Sequence, residues 1–137
     1  MECPAYIHNA EIVIEKLGCW PSFHDAEVIS FSAARAAPGQ PGKTSARLCV
    51  HLRQYKEVGA GTAEYEMVCC NSLLIELLFF DLKHLSIEDF NHQNVIQSIE
   101  FRLLESQLIE VEFESIYGVG GVIRCARVEV GDVASLL

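Results

Sequence analysis

The sequence predicts a mainly β (α+β) domain: an antiparallel sandwich or curved sheet of about six to seven strands with one N-terminal helix. Three observations carry that reading. Apolar residues alternate through Ala46, Leu48, Val50 and Leu52, and again through Ile109, Val111 and Phe113, as half-buried strands require. Turn residues punctuate the runs, from Pro38-Gly39-Gln40-Pro41-Gly42 to Gly118-Val119-Gly120-Gly121. A helical period is confined to the first twenty residues.

Ala10, Val13, Ile14 and Leu17 fall on one helical face, with Asn9 placed to cap the helix, Gly18 to end it and Pro21 just beyond. From Glu27 to Arg35 the chain reads as a strand whose apolar parity changes after Val28, which predicts a β-bulge there. The strand from Ser45 to Tyr55 turns Arg47, Cys49, His51 and Arg53 outward, so His51 is expected to face solvent. Val58-Gly59-Ala60-Gly61-Thr62 is a turn without the Lys-Ser/Thr that a phosphate loop needs. Glu64 to Asp81 holds one or two strands, with a break near Asn71-Ser72. There Leu73, Ile75, Leu77 and Phe79 form one apolar face, and Leu74, Glu76, Leu78 and Phe80 a second. A strand apolar on both sides is central or covered; the helix is the obvious cover and a homodimer contact the runner-up. Lys83 to Asn94 is expected as an irregular, ordered loop. Val95 to Leu104 and Gln107 to Tyr117 follow as strands, and a Gly-rich hairpin leads into the last, Val122 to Val130.

At 137 residues the chain is expected to form one domain, 1–137, burying about 68% of its unfolded surface without a staple. Ten basic against nineteen acidic residues give a formal charge of −9, which repels phosphate backbones and favours a basic protein partner. The six cysteines include no Cys-x-x-Cys pair, and Met-Glu-Cys-Pro lacks the basic start and apolar run of a secretory signal. A cytoplasmic chain is expected, its cysteines acting as small apolar side chains. Leu73 to Phe80, the longest apolar run, is broken by Glu76 and too short to span a membrane.

His24, Asp25 and His92 are the residues from which a small metal-dependent hydrolase could be built, but they lack close-spaced ligand pairs. The ordinary reading is that His24 and Asp25 hydrogen-bond the helix-to-strand connection. Asn91, His92, Gln93 and Asn94 suit scaffolding, since amides do no acid/base work at neutral pH. No nucleophile elbow, His-Glu-x-x-His helix or Walker motif occurs, so the expectation is a non-enzyme with no cofactor and no metal. The clearest functional pattern is electrostatic. Glu110, Glu112 and Glu114 face away from Ile109, Val111 and Phe113 as an acidic ladder about 7 Å per step, a candidate docking surface for a basic protein. Arg124 and Arg127 have opposite parity, so at most one can share the ladder's face.

Trp20-Pro21-Ser22-Phe23-His24-Asp25-Ala26-Glu27-Val28, Phe90-Asn91-His92-Gln93-Asn94 and Tyr117-Gly118-Val119-Gly120-Gly121 together resemble the immunity protein 50 family. The resemblance spans Trp20 to about Val130, with Trp20, Pro21, Phe23, His24, Asp25, Asn91, His92, Gln93 and Asn94 as its motif residues. Members of that family are predicted immunity proteins of bacterial polymorphic toxin systems. The resemblance therefore implies a small, mainly β, cytoplasmic protein that binds and neutralises a toxin, with no catalysis and no cofactor. It defines no toxin-contact residues. The loops at 38–42 and 57–62 match none of its motifs and are candidates for where toxin specificity varies.

Overall fold

A computed structural model describes residues 2–137. In chain order these form β1 (Ile7–His8), α1 (Glu11–Leu17), β2 (Glu27–Ala34), β3 (Ser45–Val58), β4 (Glu66–Glu88), β5 (Val95–Leu103), β6 (Ile109–Tyr117) and β7 (Gly120–Ser135). The mainly β expectation holds. Pairing runs β7-β4-β3-β2-β5-β6, and β6 returns to β7, so the curved sheet closes on itself and leaves few open edges. β1 extends β7 in parallel, Ile7 opposite Val128.

Alternation supplies the core. Ala46, Leu48, Val50 and Leu52 of β3, Leu73, Ile75, Leu77 and Phe79 of β4, and Ile109, Val111 and Phe113 of β6 all point inward and are buried. The predicted bulge in β2 falls between Val28 and Ser30 and lets Val28 stay buried while Ile29 turns out.

Four local expectations need correction. Asn9 does not cap α1; it sits at φ 61°, and its side-chain amide donates to Glu129 Oε1 at 3.0 Å. The helix does end at Gly18, φ 84°, whose N–H reaches the Ile14 carbonyl at 2.7 Å. Second, α1 does not cover the outer face of β4. Val13 and Leu17 join Leu73, Ile75 and Leu77 in one inner core, while Leu74, Leu78 and Phe80 stay half-buried outside it. Third, β4 neither breaks at Asn71-Ser72 nor stops at Asp81. It continues to Glu88, because β7, itself running on to Ser135, offers it partners as far as Gly120. Fourth, His51 is half-buried, its Nε2 2.8 Å from Ser72 Oγ, rather than free in solvent.

Candidate partner-binding surface

The ladder on β6 is oriented as its alternation predicts, but its carboxylates are cross-linked. Register places Glu110 opposite Arg102 of β5 on one side and Arg124 of β7 on the other. Arg102 donates to Glu110 Oε1 at 2.8 Å, Glu112 Oε1 at 3.0 Å and Glu100 Oε2 at 3.0 Å; Arg124 donates to Glu110 Oε2 at 2.9 Å. Hydrogen bonds from Arg102 first, and then Arg124, hold the Glu110 carboxyl below its usual range, and Glu110 and Glu112 in turn raise the Arg102 guanidinium. Glu110 is consequently the least accessible of the three, its side chain 15% exposed against 44% for Glu112, while Glu114 is exposed and outside every ion pair among the described residues. Arg127 instead pairs with Glu129. Arg102 was legible in principle, since counting back across the turn at Glu105–Gln107 sets it opposite Glu110.

The three motifs meet at one place. Asn94 is buried (3% exposed); its Oδ1 accepts from the N–H groups of Asn91 (2.9 Å) and Val119 (3.2 Å), and its amide donates to the Asn91 carbonyl (2.6 Å). The Asn94 carbonyl in turn accepts from Val28 N–H at 2.7 Å. Around it the segment before β2 is stitched to β5, with Asp25 N–H donating to Ile96 O, Ile96 N–H to Ala26 O and Ile99 N–H to Ser22 O, at 3.0, 3.0 and 3.2 Å. β2 and β5 share one in-register pair, Glu27 with Val95, so this stitching largely closes the seam of the sheet. Phe23 and Asp25 take left-handed backbone (φ 65° and 63°) to make the sharp turn, and Phe23 and Trp20 drive it inward, their rings edge-to-face at 5.6 Å.

A model of the family described as immunity protein 50 matches residues 9–135. The chain belongs to the immunity protein 50 family. Comparison with curated proteins and with solved structures finds no match.

In this immunity protein 50 member the His24 and Asp25 side chains are both exposed and lie 3.4 Å apart, with His24 Nδ1 3.2 Å from the Gln97 carbonyl. They pin the junction to β5 as well as to itself. Among the described residues no three His, Cys, Asp or Glu side chains gather where a metal ion could be held, so His24, Asp25 and His92 form no such group. Pro21 lines a shallow groove with Ser22, His24 and Arg53. Gln93 and Asn91 build the loop itself, Gln93 N–H donating to Asn91 Oδ1 at 3.0 Å and the Asn91 amide to Asp89 O at 2.8 Å. No helix among the described residues is long and apolar enough to cross a membrane.

Proposed function

We propose that this chain is a non-catalytic, cytoplasmic immunity protein of a bacterial polymorphic toxin system, and that it binds a partner toxin and neutralises it by occlusion. The family match over residues 9–135 carries the reading. Two properties of the molecule support it. Of the residues that invite a catalytic assignment, His24 through its ring and Asp25 through its backbone N–H contact β5 beside the seam, where Asn94 is buried. The net charge of −9, displayed from rigid strands, suits fast association with a basic partner. On β6 the accessible contacts are Glu112 and Glu114, with Glu110 orienting Arg102 and Arg124 behind them.

The test is co-expression with the toxin encoded beside the gene. Cells carrying both are expected to grow where cells carrying the toxin alone arrest. Equal arrest with and without this chain contradicts the proposal.

A further inference from the structure

The β3–β4 hairpin runs past the sheet. β2 pairs with β3 as far as His51, and β7 with β4 from Leu73, so beyond those positions the two strands pair with each other alone among the described residues. Tyr55 to Val58 and Glu66 to Cys69 thus form a two-stranded ribbon with both edges open. None of its side chains joins the core. A bare ribbon is marginal in water, and this one is braced at both ends. At its base the Asn71 amide donates to Gln54 Oε1 at 2.6 Å. At its tip Thr62 Oγ1 donates to the Gly59 carbonyl at 2.6 Å and accepts from Glu64 N–H at 3.2 Å.

Register sets Glu57 opposite Met67 and Tyr55 opposite Cys69, so Tyr55, Glu57 and Met67 share one face. Tyr65 closes over that face from the turn, its hydroxyl donating to Glu57 Oε1 at 3.3 Å. Tyr55, Tyr65 and Met67 are each about half exposed, at 51%, 50% and 54%. Three large side chains of the types that concentrate in interface cores lie together on a projecting element that the fold does not need them to cover. Their charge is one-sided as well. Glu57 lies among them and Glu64 in the adjoining turn, while Glu66, opposite Val58, and Lys56 fall on the ribbon's other face and Arg53 precedes Tyr55 on the same strand; none of the five enters an ion pair with a described residue. That contrasts with Glu110, already occupied by two guanidiniums.

We infer that the tip of the β3–β4 hairpin is the principal docking surface for the toxin, and that it receives an arginine- or lysine-bearing surface of that protein. Tyr55 and Tyr65 offer ring faces to cations, Met67 an adaptable apolar contact, and Glu57 and Glu64 beside them, with Glu66 on the ribbon's reverse, the countercharge. The braces hold the ribbon ready, which lowers the ordering cost of binding. This rests on the immunity reading and assigns it a surface.

The experiment measures binding of the full chain to the purified, catalytically inactivated toxin domain encoded beside the gene. Two triple variants carry it: Tyr55→Ala with Tyr65→Ala and Met67→Ala, and Glu57→Lys with Glu64→Lys and Glu66→Lys. Each is expected to weaken Kd by about 100-fold or more, whereas Glu112→Lys with Glu114→Lys on β6 weakens it far less. Wild-type binding with both hairpin variants unchanged overturns the hairpin assignment and leaves the immunity reading standing. Binding that survives the charge reversal alone overturns the basic-partner assignment. No binding by wild type overturns the immunity reading itself. Should a variant fail to fold, amide exchange of the wild type decides: slowed exchange at residues 55–67 in the complex supports the site, and unchanged exchange there overturns it.

Discussion

The Asn94 side-chain oxygen accepts the Val119 amide N–H at 3.2 Å, tying the loop before β5 to the hairpin between β6 and β7. The same residue receives Val28 through its backbone carbonyl, so a single buried residue joins the three sequence motifs. Asn94→Ala leaves the Val119 N–H and the Asn91 groups without their partner. It is expected to cost about 1–3 kcal/mol, the penalty for orphaning the buried Val119 N–H, since the exposed Asn91 groups can turn to water, read as a lowered urea midpoint at unchanged slope.

Gly118 and Gly61 make a matched pair, both at φ 79°. A Cβ at Gly61 meets nothing within 4 Å, whereas at Gly118 it would stand 2.3 Å from the Gln93 carbonyl and 2.7 Å from Asn94 Oδ1. Gly61→Ala should cost about 1 kcal/mol, the strain of a left-handed alanine. Gly118→Ala should cost about 2 kcal/mol more, because the same seam must move. Equal losses in thermal or urea unfolding would show that conformation alone sets the penalty.

Glu110 gives the sheet an acid limb. Its carboxyl is held below its usual range by Arg102 and then Arg124, so its contribution is complete above the unfolded-state value, about 4.3, and is lost as pH falls through the lower folded value. Glu110→Gln should therefore be less stable than wild type near neutrality, and the gap should narrow steadily as urea midpoints are taken from about pH 6 towards pH 2. A gap that does not change with pH would place the loss in packing instead.

Much of this architecture was legible. The alternation in β3 and β6, the bulge after Val28 and the helix stop at Gly18 are local consequences of side-chain period and backbone freedom, and each reads directly from neighbouring residues. What escaped depends on partners distant in sequence. Asn9 looks like a cap until Glu129, on β7, draws its side chain away. Lys83 to Glu88 looks like a loop because polar strand residues are recognisable only once β7 lies beside them. The ladder's compensation was legible only in part: parity allows one of Arg124 and Arg127 on its face, whereas Arg102, on β5, went unread. Where a hairpin outruns its neighbours is likewise set by the lengths of β2 and β7, so the exposed Tyr55, Tyr65 and Met67 could not be told from core residues by composition. The β6 ladder was legible as charge and illegible as geometry, and the hairpin shows in the sequence only as a loop at 57–62 outside the family's motifs.

The cysteines separate by environment. Cys19 is exposed, whereas Cys125 is buried and its thiol is pushed up to about 11 by that burial. Since the thiolate is the reacting form, iodoacetamide at mildly alkaline pH should modify Cys19 in the folded protein and reach Cys125 upon unfolding. Peptide mass analysis before and after urea checks the order.

Titration calorimetry of this chain into the inactivated toxin domain encoded beside its gene is the most direct test of the central claim. Saturable binding is expected, with Kd of about 10⁻⁷ M or tighter and weakening as salt is raised, as charge-steered association requires. A flat titration at concentrations where both proteins are folded would contradict it.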